Sequence, residues 1–593
     1  MDDWDALFDL AIEQHQAGEL EPARALYRRI LNANPGQVNA RYLLGTVLLQ
    51  LGEYSEAAAE LEPLLRERQE IPDLHNNLGI AYHALERWDE AAGAFRKAIQ
   101  LKTNYQQAHF NLAMLLEERG DLSGAEHYYR QASELDLNDP QCLFNLGHVL
   151  KCLERWEDAE DAYLRLSGLT PDNLDVLINL GYVQVRQDRL DPAIETFHRI
   201  LLQAPDYAEV HNNLSYIYER MGMLEEAIES ARKAIQLKPF FPEGFNNLGT
   251  AYRTSGMIEE AIDAFDAAVR LQPEFPLARF NLGTSQLLNG DFQNGWEGYE
   301  HRGSLVREPF KSDRPRWNGE GIRGKRLLIC SDQGYGDAIQ FLRYLPRLKA
   351  VTGGEIMFLT PAPLARLLAG FPGIDRFAVE GETLPEFDYW VPLMSLPGFL
   401  KLDLSNLKTS PEPYLSVSDE LVEFWKSMLP EWSRGLFKVG VVWQGNPQQS
   451  RDRLRSCPLT TFSRIFDVEG VAIISLQREG AGLAQLESAE LPGRMVEWGS
   501  RFGDFADAAA AVKNVDLVVS VDTAMCHLAG ALGVPTWTLL ASSADWRWFR
   551  GGIDSPWYPT MRLFRQPEWG DWEGLLGEVR ERLAVLADRR EST

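Results

Sequence analysis

Residues 242–275 read PEGFNNLGTAYRTSGMIEEAIDAFDAAVRLQPEF, and the same pattern returns in 34-residue steps through the first half of the chain. Here Leu248 precedes a small residue, Gly249. A second small residue, Ala261, stands twelve positions later, and a large ring, Phe265, four beyond that. The Leu-small pair recurs at Leu44-Gly45, Leu78-Gly79, Leu112-Ala113, Leu146-Gly147, Leu180-Gly181, Leu214-Ser215 and Leu282-Gly283, and Leu10-Ala11 extends it backwards. The second small column holds Ala23, Ala57, Ala91, Ala125, Ala159, Ala193, Ala227 and Gly295, and the ring column holds Tyr27, Phe95, Tyr129, Tyr163, Phe197 and Tyr299. Prolines close several units, at Pro35, Pro171, Pro205, Pro239 and Pro273.

A fixed period of this length signals stacked helix–turn–helix units. Small residues let paired helices approach, and the ring fills the space beside them. One unit cannot bury its apolar face alone, so neighbours stack into a right-handed superhelix. On these columns the first half resembles the tetratricopeptide repeat, with about nine units over residues 1–302. Asn77, Asn111, Asn145, Asn179, Asn213, Asn247 and Asn281 stand before the Leu-small pair, on a helix face that in this repeat lines the concave groove. An amide can pair with the N–H and C=O of an extended peptide. A comparable ladder grips substrate backbone in the O-linked N-acetylglucosamine transferases, which this half resembles. The rival reading is that these asparagines support helix packing. Each hydrogen bond contributes about 0.5–1.5 kcal/mol, and ordering each peptide residue costs about 1–2 kcal/mol. Such a groove suits an extended or tethered segment and binds it weakly.

The chain has 593 residues, 45% of them hydrophobic and 24% charged, which excludes global disorder. Its net charge of −27 repels nucleic acid and anionic lipid, leaving room only for a local basic pocket. Five scattered cysteines without a CxxC pair suggest neither a disulfide framework nor a zinc site and fit a reducing cytoplasm. The acidic start MDDWDALFDL lacks signal-peptide character. The apolar stretch 515–540 contains Asp516, Asp522 and His527, so it reads as buried strand–helix–strand and not as a membrane span.

After Gly303 the period stops. A polar bridge, 303–325, leads to alternating strands and helices in two sets, 326–430 and 431–593. Alternation of this kind implies parallel sheets covered on both faces. Predicted strands include 326–330, 355–359, 438–443, 471–476, 517–521 and 536–540, with a closing helix near 572–588. Ligands bind such sheets at the carboxyl ends of strands, and the cleft between two sets is the expected site.

Three motifs carry chemistry. In Ser520-Val521-Asp522-Thr523-Ala524-Met525-Cys526-His527 a buried strand ends where a helix begins, so the free N–H groups of Thr523, Ala524 and Met525 form an anion site. The rival reading is a plain helix cap by Asp522, with His527 a packing residue. Gln444-Gly445-Asn446-Pro447 leads to Arg451, Arg453 and Arg455, cations able to clamp a diphosphate, or merely a solvated basic loop. Gln333-Gly334-Tyr335-Gly336-Asp337 opens a helix at a strand end. From there Asp337 could accept a proton across the cleft or simply cap the helix. No Asp-x-Asp follows residue 303, which argues against a metal held that way, and no GxSxG occurs.

The segments SDQGYGDAIQFLRY, GVVWQGNP with RDRLRSCPL, and SVDTAMCHLAGALGVPTW resemble the heptosyltransferase-like family 9 glycosyltransferases of GT-B fold. The whole chain resembles the bacterial group in which tetratricopeptide repeats precede such a domain, an architecture that includes flagellin glycosyltransferases. The implied fold is an all-α superhelix followed by α/β GT-B, two doubly wound Rossmann-like domains. The resemblance makes Asp337, in the family's Gly-Asp motif with Gly334 and Gly336 nearby, the candidate base. It places Gln444, Arg453, Arg455, Asp522, Thr523, Ala524, Met525 and His527 around the donor. Arg455 stands where heptosyltransferases carry a phosphate-binding Lys, and Ala524 where many relatives have Gly. The acidic ribose contact has no clear counterpart, with Gln477 the weak candidate. Asp545-Trp546-Arg547-Trp548 resembles a segment of the repeat-bearing group that flanks the base or sugar, or only packs.

The expectation is a cytoplasmic, metal-independent, inverting glycosyltransferase. It would use a nucleotide sugar as co-substrate, with no tightly bound cofactor, and a protein acceptor, flagellin or another surface protein, presented by the repeats. Rivals are a binding scaffold with an inactive transferase domain and a transferase for surface glycans. Dimerisation through the repeats stays open.

Overall fold

A computed structural model describes residues 4–304, 310, 312–407, 413–449, 452–478, 480–491 and 494–591. The chain forms two compact units, Met1–Val210 and His211–Thr593.

The repeats are antiparallel helix pairs from Trp4–Gln16 and Leu20–Ala33 to Pro276–Leu288 and Phe292–Tyr299. Pro72, Pro140, Pro242 and Pro276 open helices, where their missing N–H costs nothing. The small and ring columns meet within each pair. A Cβ on Gly79 would lie 2.4 Å from the Phe95 ring, and one on Gly249 2.7 Å from Phe265. Both rings are fully buried, each adding about 2–3 kcal/mol of apolar burial. The second repeat departs from the pattern: its second helix, Tyr54–Leu61, gives way to a 3₁₀ turn at Glu62–Arg66 containing Pro63, and Leu61 fills the place of the ring against Gly45.

In the second unit, parallel strands β1 (Arg326–Cys330), β2 (Glu355–Thr360), β3 (Arg376–Val379) and β4 (Tyr389–Pro392) form one sheet in the order β3-β2-β1-β4. A second parallel sheet joins β5 (Phe437–Val442), β6 (Val471–Ser475), β7 (Met495–Glu497), β8 (Leu517–Val521), β9 (Thr536–Leu540) and β10 (Met561–Arg565), in the order β10-β9-β8-β5-β6-β7. Strands β8 and β9 are buried along their whole length, as strands covered on both faces must be. Strands β7 and β10 lie beyond the sequence expectation, and the expected helix after β1 is broken. It runs Tyr335–Phe341, turns through Leu342–Tyr344, and resumes at Leu345–Thr352 with Pro346 in its first turn.

Contacts cross two of the expected boundaries. The last repeat shares a core with the α/β region: Leu287, Phe292, Trp296 and Tyr299 join Phe341, Trp546 and Trp557 in one apolar cluster. Trp296 Nε1 donates to the Leu402 carbonyl at 2.9 Å. The chain also reaches the second sheet before residue 430. Tyr414 and Leu415 donate to the Ala531 carbonyl, and Trp425 packs on Trp498 and Phe502. No helix among the described residues is long and apolar enough to cross a membrane. All five cysteines are free.

Candidate active site

In the six-stranded sheet the chain runs outward in both directions from the β5–β8 pair, which makes the carboxyl ends of those strands the switch point where ligands bind such sheets. The loop after β5 carries Gln444 to Arg455, and the turn after β8 carries Asp522 and Thr523. The switch in the other sheet lies between β1 and β4, and the loop after β1 carries Gly334 to Asp337. These three loops meet. A Cβ on Gly336 would stand 2.9 Å from His527 Cδ2 and 3.3 Å from Ala524 Cα, while one on Gly334 would stand 3.7 Å from Gln449 Nε2.

Asp337 sits in the first turn of the Tyr335–Phe341 helix, where its Oδ2 accepts from the Gly334 N–H at 2.9 Å and so closes the helix cap. Its Oδ1 accepts from Arg547 Nη2. Burial raises the carboxyl above its ordinary range, Arg547 opposes that, and Asp545 and Asp332 add to it. Thr523 caps the Ala524–Ala531 helix without a side-chain bond to it, and its hydroxyl lies 3.1 Å from Ser520 Oγ. Asp522 is not the cap: its Oδ2 accepts from Trp548 Nε1 at 2.9 Å. Its carboxyl is pushed up to about 6, first by burial and then by Asp545, against the pull of the Trp548 bond, Arg455 and Arg547. Arg455 donates to Asp452 at 3.0 Å, and its charge acts on both Asp522 and His527.

His527 is buried. It stacks on Trp548 at 5.4 Å, and its Nδ1 pairs with the Tyr558 hydroxyl at 3.1 Å. Burial, then Arg547, Arg343 and Arg455, push its pKa well below the ordinary value, so it is neutral. Donor atoms of Asp522, Cys526 and His527 lie within 4.8 Å of one another. The Cys526 thiol donates to the Thr523 carbonyl, and burial pushes its pKa up.

Several expected site residues are placed elsewhere. Arg453 is exposed and donates to the carbonyl of Arg220 in the repeats. Gln477 is buried: its Oε1 accepts from the Trp443 and Gln444 amides and its Nε2 donates to the Gln444 carbonyl, so it clamps the chain just after β5. Gln444 is held in turn by Gln485, and Met525 packs into the core. Arg451 lies outside the described residues.

The asparagine ladder ties repeats together. Asn111 donates to Asn76, Asn247 to Asn212, and Asn281 to Asn246, at 2.9–3.0 Å. Asn77 donates to Tyr42 and Thr46, Asn145 to Tyr129, and Asn179 to the Asp175 carbonyl while accepting from Lys151. Asn213 is half-buried. Six of the seven ladder asparagines thus have a polar partner, most of them on a neighbouring helix. The residue that the sequence reading left unassigned is Arg547, which reaches Asp337 from 210 positions away.

Tetratricopeptide-repeat profiles match residues 42–109, 110–173, 153–215, 208–241 and 246–295. A profile described as glycosyltransferase family 9 (heptosyltransferase) matches residues 503–569. The chain carries tetratricopeptide repeats and a segment similar to family 9 glycosyltransferases. The matched transferase segment contains Asp522–His527 and Asp545–Trp548, the groups around the β8 end. Protein FlbA of Caulobacter vibrioides is 29% identical over 341 residues, 51% of this chain and 54% of that one. The chain thus spans about half the length of the curated relative it matches. Among solved structures, YrrB, described as a TPR protein with an unusual peptide-binding site, is 26% identical. That match covers 32% of this chain and 96% of that one, at a TM-score of 0.28. MamA is 24% identical, over 28% and 92%, with a TM-score of 0.27.

Proposed function

We propose that this glycosyltransferase moves a sugar from a nucleotide-sugar donor to a protein hydroxyl, of Ser or Thr, with inversion and without a metal, in the cytoplasm. The observation that carries the reading is that the Gly336-Asp337 turn packs against the start of the Ala524–Ala531 helix. Asp337 accepts the proton of the attacking hydroxyl as the C–O bond forms at the anomeric carbon. The nucleotide diphosphate leaves as its bond to that carbon breaks. The amides of Ala524 and Met525, the helix dipole and Arg455 stabilise the charge that develops on it. A base on one face and a leaving group on the other make a single displacement, which inverts the carbon.

The acceptor reading rests on the last repeat. Trp296 and Tyr299 pack on Trp546, whose neighbour Arg547 holds Asp337, so this repeat backs the base through those two residues. The asparagine amides do not carry it. The test incubates the full chain with labelled UDP-, GDP-, ADP- and CMP-sugars and a protein extract. Label enters protein with one donor class, and Asp337→Asn lowers the rate by a factor of about 10²–10⁴ while melting like wild type. If no donor either transfers or stabilises the protein, the reading is rejected in favour of a scaffold.

A further inference from the structure

Arg547 reaches both halves of the α/β region. Nη1 donates to Asp545 Oδ1 at 2.6 Å within its own half. Across the cleft, Nε donates to Gln340 Oε1 at 3.0 Å and Nη2 to Asp337 Oδ1. Asp337 and Gln340 are one turn apart on the same helix, so the guanidinium fork grips that helix at two points. Its own placement is fixed from behind. Trp557 Nε1 donates to the Arg547 carbonyl at 2.6 Å, and the guanidinium lies 4.7 Å from the Trp546 ring centroid. Trp546 in turn packs edge-on against Trp296 at 5.2 Å and Tyr299 at 5.8 Å from the last repeat.

We infer that Arg547 is a positioning residue for the base: it holds Asp337 as an oriented carboxylate, and does so only while the two halves and the last repeat are docked as described. The inference rests on the glycosyltransferase reading with Asp337 as base. Each carboxylate oxygen can accept two hydrogen bonds. Gly334 takes one place on Oδ2 and Arg547 one on Oδ1, which fixes the plane of the group and leaves a lone pair on each oxygen for the acceptor hydroxyl. The charged or titratable groups facing Asp337 are Arg547, Asp545 and Asp332, with Tyr299 beside Arg547. Asp332 already has its own cation, Arg302, at 2.9 Å. Arg547 is therefore the cation that offsets the two carboxylates and the burial around Asp337. Without it burial and the two carboxylates outweigh the Gly334 N–H bond and favour the protonated acid, which cannot take up a proton.

The test measures kcat/KM against pH for wild type, Arg547→Gln and Arg547→Lys with the nucleotide sugar that supports transfer, each variant checked by thermal melting. In Arg547→Gln the acidic limb moves up by about one pH unit or more, while the donor KM stays within about twofold. Arg547→Lys keeps the charge but not the fork: its limb stays within roughly half a unit and its plateau kcat falls about tenfold or more. An unmoved limb in folded Arg547→Gln overturns the inference and leaves the glycosyltransferase reading standing. If the Gln variant does not fold, wild-type kcat in Arg547→Lys overturns it instead. A wild-type chain that transfers sugar from no donor defeats the underlying reading, and this inference with it.

Discussion

Asp522 gives the sharpest test of how the site is built, because its cost can be worked out. Its side chain is 19% exposed, and burial beside Asp545 pushes its carboxyl from the ordinary 3.8 to about 6. At about 1.4 kcal/mol per tenfold change in an ionisation constant, that displacement costs the folded state about 3 kcal/mol once the group is ionised. The sign follows from the direction. Below 3.8 folded and unfolded chains both hold the proton, and Asp522 costs nothing. As the pH rises toward 6 the unfolded chain ionises first, so folded stability is lost, and above about 6 the full cost applies. Asp522→Asn removes the charge and keeps an acceptor for Trp548 Nε1. At pH 8 the variant should be more stable than wild type by about 3 kcal/mol, or roughly 4 °C for a unit the size of His211–Thr593. Near pH 4 the gain should vanish, and transfer should fall at every pH. Calorimetric melting of both proteins at the two pH values decides it. A variant no more stable than wild type at pH 8 would refute the claim that ionised Asp522 is held at a cost.

Two further outcomes follow from the fold. Trp296→Ala should cost the second unit about 3–5 kcal/mol in chemical denaturation and lower transfer as well, because the ring braces Trp546 from the last repeat; intact stability would mean the repeat is not part of that core. Asn281→Ala should cost about 1–3 kcal/mol, since Asn246 loses its donor and both residues are buried, and an unchanged melting curve would remove the ladder's role as a tie between repeats.

The repeats were legible because packing within a pair is local: the glycine and ring that meet at Gly249 and Phe265 are 16 positions apart and return with every unit. The sheets were legible where strands are wholly buried and apolar, as at Leu517–Val521. The short Met495–Glu497 strand, only half-buried, carries too little pattern to be seen. Loops that end strands announced the Thr523 helix start and the Asp337 turn. Side-chain partnerships were another matter. Nothing near Arg547 in the chain signals Asp337, and nothing near Gln477 signals the Gln444 carbonyl, because both pairings depend on how distant elements pack. The ladder shows a related effect. Spacing put the asparagines on one face, but the polar groups one repeat away, at Asn76, Asn212 and Asn246, engage Asn111, Asn247 and Asn281.

The central claim is that the cleft at the two switch points holds a nucleotide sugar by its diphosphate, and calorimetric titration tests it most directly. Wild type should bind one class of nucleotide sugar. Arg455→Gln, beside the Asp522 turn, should weaken that binding by about tenfold or more, while Arg453→Gln, whose partner is a repeat carbonyl, should bind as wild type does. Equal loss in both variants, or heat from no nucleotide sugar at all, would contradict the account.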